Sequence, residues 1–202
     1  MLKNKIHNEL LEILEELIPN INGKWFISDG ALLGITRDNN LIPWDTDIDI
    51  MVLEDTKIDL QLTNLKKQKY YICDKIYNPK FEKQYANPWH EYIAYKRCLP
   101  ENKGLNRPQL TKKISQSYKT EKKSIEFTYP HIDIFILKKE GDRYVCDQGL
   151  YPHIYYTQDE IDNLEEMIFK GLPIIVPKEK EVILERIFGT TWKTPNPNHQ
   201  YY

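Results

Sequence analysis

The chain has 202 residues, of which 41% are hydrophobic and 29% are charged, a balance that favours a folded globular protein over a disordered chain. Its 28 basic and 30 acidic residues give a net charge of -2, so no overall positive field draws it onto nucleic acid or an anionic membrane. Any phosphate that it binds must be held by a local site.

Cysteine spacing and hydropathy indicate the cellular compartment to expect for this protein. Cys73, Cys98 and Cys146 are far apart and lack the CxxC spacing, so the sequence predicts neither a disulfide framework nor a zinc knuckle. The sequence contains no apolar run as long as a signal peptide or a membrane span requires. We therefore expect a cytoplasmic protein with no membrane insertion and no nucleic-acid partner.

The predicted architecture is one α+β domain over residues 1–202, in which a mixed β-sheet carries flanking helices. We expect its core at about residues 24–195, followed by a tail at 195–202 that is rich in proline and asparagine. Apolar residues at helical spacing predict an N-terminal helix over residues 4–18, and Pro19 ends that pattern.

A strand, a turn and a helix are predicted next. Residues 24–28 are typical of a short strand, Asp29 and Gly30 of a turn, and residues 31–36 of a brief helix. Acidic and aliphatic residues then alternate over residues 45–52, which is the period of a strand.

The rest of the chain predicts further alternation of helices and strands. In order, we expect a helix at about 56–69, strands at 70–73 and 91–97, a lysine-rich loop at 99–124, an interior strand at 131–137 with a pairing partner at 143–146, a helix at 157–170, a strand at 172–176 and a helix at 178–188.

Three acids, Asp45, Asp47 and Asp49, occupy alternate positions of the predicted strand over 45–52 and are expected to share one face. Adjacent acids would lie about 6.5 Å apart at Cα, two rises of about 3.3 Å. At an effective dielectric near 20, each ionised pair repels by about 2.5 kcal/mol. Either one acid keeps its proton or a cation binds, and carboxylate oxygens suit Mg²⁺ or Mn²⁺. The alternative is that the three acids only lie on a solvated strand face and bind no metal.

Residues upstream of the acids are candidates for phosphate binding. Gly30 and Gly34 bracket the start of the predicted helix, where free backbone N–H groups can hold an anion, although glycines at such a junction also serve backbone geometry. Arg37, at the far end of that helix, is the nearest fixed cation to the acids. The alternative role of Arg37 is to form a salt bridge on the surface.

Asp133 is the candidate for a carboxylate from a second strand. It lies between Ile132 and Ile134 in an apolar run, where burial without a partner would be costly. Metal-dependent phosphoryl transferases need such a group as ligand or general base. The alternative is an acid at a strand end that pairs with a lysine.

Two stretches together resemble the signature of the LicD family, which includes bacterial phosphocholine transferases, fukutin and fukutin-related protein. They are GALLGITR at residues 30–37 and LIPWDTDIDI at residues 41–50. Downstream, IDIF at 132–135 is similar to the family's second acidic strand. Residues 171–177 and 187–192 together are similar to the family's closing segment. The resemblance spans roughly residues 25–195.

This resemblance implies a nucleotidyltransferase fold in which Asp47, Asp49 and Asp133 bind Mg²⁺ or Mn²⁺ and Asp45 supports them. Thr46 departs from the many members that have an aspartate there. Members transfer a phospho-alcohol from a CDP-linked donor to a hydroxyl of a glycan or glycolipid. As a hypothesis for the substrate contacts, Arg37 offsets charge on the phosphates, and Trp44 or a nearby tyrosine stacks on the base.

Two other functions remain open from the sequence. The same acids would serve a nucleotidyltransferase that places a nucleoside monophosphate on a small molecule or a protein. A member without catalysis would bind a nucleotide or a glycan only. The full set of acids disfavours this last alternative, because three carboxylates repel one another without a metal.

Overall fold

The computed structural model of the chain describes residues 2–45, 47–58, 70–73, 90–96, 131–145 and 154–196. Within these ranges the elements are, in order, α1 Leu2–Leu17, a 3-10 turn Ile18–Asn20, β1 Ile21–Asn22, β2 Trp25–Ser28, α2 Asp29–Asp38, β3 Asp47–Leu53, β4 Lys57–Ile58, β5 Tyr70–Cys73, β6 His90–Lys96, β7 His131–Glu140, β8 Arg143–Val145, β9 Tyr155–Thr157, α3 Gln158–Asp162, β10 Leu164–Phe169, β11 Leu172–Pro177 and α4 Lys180–Phe188.

Helix α1 is the predicted N-terminal helix, and it is amphipathic. Leu10, Ile13, Leu14 and Leu17 are fully buried, at the spacing of three and four residues that places side chains on one helical face. The chain then continues into the 3-10 turn, which has Pro19 near its start. Proline removes a backbone donor and cannot continue an α-helix, so α1 ends before it.

Strand β2 passes directly into helix α2 without the turn that we predicted at Asp29 and Gly30. All four residues of β2 are buried, and α2 begins at Asp29. The change of direction is absorbed by Asp29 itself, which has a φ of 46°, a left-handed value that Asp tolerates better than most side chains. At the other end, the left-handed Asn39 caps α2 by donating its N–H to the carbonyls of Gly34 and Ile35.

The sheet is mixed, as predicted. Strand β3 lies between β2, which is antiparallel to it, and β7, which is parallel to it. Strand β7 also pairs with β6, and β6 with β5, both antiparallel. The end of β7 pairs with β8, which pairs with β9. Helices combined with this mixed sheet confirm the predicted α+β class, and the interior position predicted for β7 is confirmed too.

Hydrophobic residues pack on both faces of β2 and β3. The larger hydrophobic core combines residues of α1, α2 and α4 with residues of β2, β3, β7, β10 and β11. A second cluster contains Phe26 and Met51, which alternate with the core residues Ile27 and Ile50 and so point to the opposite face. There the ring of Phe26 meets that of Tyr156 edge-on, with centroids 4.8 Å apart.

The helix predicted over residues 157–170 is wrong in its second half. Helix α3 ends at Asp162, and residues 164–169 instead form β10, which pairs antiparallel with β11. Lys170 and Gly171 connect the two strands with φ values of 51° and 88°. Positive φ at both positions is the geometry of a tight hairpin whose twist matches its strands, and glycine favours it.

Two predictions concern the middle of the chain. The helix predicted at 56–69 is wrong at its start, because Lys57 and Ile58 form β4 and pair with β1. Residues 59–69 and the lysine-rich loop at 99–124 lie outside the described residues. The strands predicted at 70–73 and 91–97 are present as β5 and β6.

Candidate metal centre

Strand register brings the predicted acids together. In the parallel pairing of β3 with β7, Asp49 lies opposite Asp133, and Asp47 lies two residues earlier on β3. Each of these three acids offers a carboxylate oxygen, and the three oxygens lie within 4.8 Å of one another. All three side chains are half-buried. This arrangement can bind a metal ion.

The aliphatic residues of β3 hold these acids in place. Ile48 and Ile50 are buried and alternate with the half-buried Asp47 and Asp49. Because side chains alternate across a strand, a register slip of one residue would move the acids into the core and the isoleucines out of it. The apolar pattern therefore fixes which face of β3 carries the carboxylates.

Asp45 is not on the strand, which corrects the prediction that Asp45, Asp47 and Asp49 share one strand face. Strand β3 begins at Asp47, and the N–H of Asp45 closes a turn by donating to the carbonyl of Ile42 at 2.9 Å. The close carboxylate group is Asp47, Asp49 and Asp133 instead. Asp45 is near enough for its negative charge to raise the pKa of Asp49.

Asp29 is a further acid of this region that sequence reasoning missed. Its carboxylate accepts a hydrogen bond at 2.8 Å from the hydroxyl of Ser28, which is fully buried and lies opposite Asp49 in the β2–β3 pairing. Among the neighbouring charges, that of Asp29 raises the pKa of Asp49 the most. An acid directly before Gly30, where a strand becomes a helix, was the available signal.

Asp49 experiences the combined effect of burial and like charge. Burial raises the pKa of its carboxyl group well above the ordinary value, and the negative charges of its acidic neighbours raise that pKa further: Asp29, Asp47, Asp133 and Asp45. Burial and like charge both disfavour an ionised carboxylate. Without a cation, Asp49 therefore holds its proton to a higher pH than an exposed aspartate does.

Gly34 has a packing role that the structure makes explicit. It lies buried inside α2, and a Cβ added there would come within 2.6 Å of the carbonyl oxygen of Asn40 and 2.8 Å of the backbone nitrogen of Ile42. Only glycine permits this approach of the loop that leads to Asp45. Gly30, by contrast, is the second residue of α2, where backbone N–H groups lack partners within the helix.

Arg37 and Trp44 line one groove, which we call the Trp44 groove. It lies between the second half of α2, the turn after Leu41, and the segment that follows α4. The side chain of Arg37 is only 8% exposed, and its guanidinium donates from Nε and Nη2 to the carboxylate of Asp38 at 2.7–3.0 Å. Trp44 is 44% exposed. A substrate contact of either residue remains a prediction.

Carboxylates gathered from two adjacent strands of a mixed sheet, beside a strand-to-helix junction, form a candidate metal centre in an α+β domain. The model of the LicD/FKTN/FKRP family, nucleotidyltransferase domain, matches residues 22–179, and the chain belongs to this family. The resemblance seen in the sequence is thereby confirmed.

Two bacterial relatives are similar over most of this chain. An uncharacterized protein of Rickettsia typhi is 26% identical over an alignment of 174 residues, and the match covers 84% of this chain and 41% of the relative. An uncharacterized protein of Rickettsia prowazekii is 23% identical over 177 residues, 85% of this chain and 49% of the relative. The chain thus spans less than half the length of each. Among the described residues, no helix is both long and apolar enough to cross a bilayer.

Proposed function

We propose that this chain transfers a phospho-alcohol, such as phosphocholine or ribitol phosphate, from a CDP-linked donor to a hydroxyl of a glycan or glycolipid, and that it requires Mg²⁺ or Mn²⁺. The observation that carries this proposal is the group of three carboxylate oxygens within 4.8 Å, contributed by Asp47, Asp49 and Asp133. Family membership supplies the class of reaction.

The donor set fits a hard divalent cation. Three carboxylates offer only oxygen, which Mg²⁺ and Mn²⁺ prefer, and none of the nitrogen or sulfur ligands that zinc sites favour. The high pKa of Asp49 has the same origin, because a site that crowds negative charge favours either a proton or a cation. When bound, the ion supplies positive charge that offsets charge developing on the diphosphate.

The remaining chemistry belongs to the residues of this chain. The hydroxyl oxygen of the acceptor attacks the phosphorus that carries the alcohol, the bond from that phosphorus to the bridging oxygen of the diphosphate breaks, and CMP leaves. In this proposal, Asp133 takes the hydroxyl proton as general base. The free N–H groups of the first turn of α2, that of Gly30 among them, hold a phosphate oxygen.

Calorimetric titration tests this function. CDP-choline, CDP-ribitol, CTP and ATP are titrated with and without Mg²⁺ into the wild type, Asp47→Ala and a matched control, Asp142→Ala. Asp142 is an exposed acid beyond the far end of β7, more than about 20 Å along the strand from Asp133. We expect metal-dependent binding of the CDP compounds that Asp47→Ala loses and Asp142→Ala keeps. Equal binding of all four nucleotides without metal, to all three proteins, would refute the proposal.

Transfer of a nucleoside monophosphate is the second candidate, favoured by the description of the matched domain as a nucleotidyltransferase. It would use the same acids, but the attacked phosphorus would be the one attached to the nucleoside. Donors labelled separately in the alcohol and in the cytidine distinguish the two reactions. Label from the alcohol in the acceptor product supports phospho-alcohol transfer, and label from the cytidine supports nucleotidyl transfer.

A further inference from the structure

The Trp44 groove has one exposed aromatic surface. Trp44 is 44% exposed, and among the described residues no other ring stacks on it. Trp192, in the opposite segment of the groove, is buried, and Thr191, Thr194 and Asn196 from the same segment supply polar side chains to the lining. The groove therefore combines a free aromatic face with uncharged hydrogen-bonding groups, a typical lining for a small-molecule site.

The charge inside the groove is balanced. The guanidinium of Arg37 donates three hydrogen bonds to the carboxylate of Asp38, and Nη1 lies 3.5 Å from the carbonyl oxygen of Trp192. A phosphate would have to compete with Asp38 for this cation. Because a guanidinium has five N–H donors, Arg37 keeps further donors for a neutral acceptor atom. An uncharged polar ring fits this lining better than a diphosphate does.

The groove adjoins the acids. Trp44 precedes Asp47 by three residues, so their Cα atoms are at most about 11 Å apart. In a nucleotide, a single ribose separates the base from the first phosphate. A base that stacks on Trp44 can therefore place its phosphates within reach of Asp47 and the carboxylate group.

We infer that the Trp44 groove is the subsite for the nucleobase of the donor nucleotide, with the base stacked on Trp44 and its polar edge toward Arg37 and Asn196. This inference rests on the proposed function. Stacking on an aromatic side chain stabilises any flat base, and the hydrogen-bonding edge selects among bases.

Titration of CDP and of inorganic diphosphate, both with Mg²⁺, tests the subsite, because only CDP carries a base. Trp44→Ala should weaken CDP binding by about fivefold to 150-fold, since stacking is worth about 1–3 kcal/mol per base. It should leave diphosphate binding unchanged. Trp44→Phe, which keeps an aromatic face, should stay within about threefold of the wild type. The matched control is Ile168→Ala, which truncates a 65% exposed side chain on β10 and should bind like the wild type.

Fluorescence gives a second measurement that does not require the alanine variant to fold. CDP should quench the tryptophan emission of the wild type, and Trp44→Phe should remove most of that quenching while CDP still binds. Diphosphate should quench neither protein.

The failures of the two proposals are distinguishable. If Trp44→Ala binds CDP as tightly as the wild type while Asp47→Ala loses it, the nucleobase subsite is overturned and the proposed function stands. If Trp44→Ala changes only the KM of the acceptor, the nucleobase subsite is also overturned, and the groove is assigned to acceptor binding. If the wild type binds no CDP, both proposals fail.

Discussion

Asp49 on β3 and Asp133 on β7 lie directly opposite each other in a parallel pair of strands. Neighbouring strands are about 4.8 Å apart, so two carboxylates in this register are forced close together. The buried pairs Ile48–Ile132 and Ile50–Ile134 flank them and hold the register. The hydrophobic core thus holds two like charges together, and a proton or a cation must compensate for them.

Asp49→Asn should change the pH dependence of stability in the metal-free protein. Because the folded state raises the pKa of Asp49, it holds the proton more tightly than the unfolded chain does. Stability from this group is fully present below the unfolded pKa of about 3.9 and is lost as pH rises through the raised folded pKa. In EDTA, the melting temperature of the wild type should therefore fall relative to that of Asp49→Asn as the pH is raised from about 4 to alkaline values.

Thermal melts of both proteins across this range, repeated with Mg²⁺, measure the effect. Added Mg²⁺ should raise the melting temperature of the wild type more than that of Asp49→Asn, because the ion replaces the lost proton. A constant difference between the two proteins at every pH would contradict the raised pKa.

Asp133→Asn should separate metal binding from general-base catalysis. The amide keeps the shape of the side chain and one oxygen but cannot accept the proton of a hydroxyl. We expect release of CMP from the CDP-linked donor to slow by about 10²- to 10⁴-fold. Electron paramagnetic resonance of Mn²⁺ measures metal affinity independently. Loss of activity with Mn²⁺ affinity retained supports the base role, and equal loss of both makes Asp133 a ligand only.

Gly34→Ala should destabilise the protein, although alanine normally stabilises a helix. Its Cβ would lie 2.6 Å from a backbone oxygen and 2.8 Å from a backbone nitrogen of the loop over residues 40–42, so that loop must move. Overpacking of this kind costs about 1–3 kcal/mol, whereas the gain from helix propensity is only about 0.5–1 kcal/mol. Urea denaturation measures the difference. A variant as stable as the wild type would show that the loop can move without lowering the free energy of unfolding.

Glu160→Ala should be the most destabilising of these changes. Glu160 caps α3 together with Thr157, and its carboxylate receives two hydrogen bonds of 2.9 Å from Arg186 of α4. Removing one partner of a nearly buried ion pair leaves the other charge without compensation, so we expect a loss of about 3 kcal/mol in the free energy of unfolding. The exposed pair of Lys193 with Glu181 is the control, and Glu181→Ala should leave stability unchanged. Similar losses in both variants would contradict this account.

Some features followed directly from local sequence. Alternation of acids with isoleucines identified β3 and its polar face, because side chains on a strand repeat every two residues. The run around Asp133 predicted an interior strand because it is apolar on both faces apart from this acid. Helix α1 followed from its apolar spacing and from Pro19. In each case the deciding signal lies within about ten residues of chain.

The errors arose where the partner is distant or the turn was not recognised. Residues 164–169 carry enough apolar residues for either a helix or a strand, and pairing with β11 through Lys170 and Gly171 made them a strand. Likewise, Lys57 and Ile58 are a strand because they pair with β1, more than thirty residues earlier.

The sequence by itself determined which carboxylates are available and that Asp47 and Asp49 share a face, since both depend on residue identity and on the local period of a strand. Only the tertiary structure decided that Asp133 completes the group, that Asp45 stands before the strand, that Asp29 adds its charge, and that Trp44 faces a segment near residue 192. Those relations depend on strand register and helix packing between residues far apart in the chain, which no local pattern encodes.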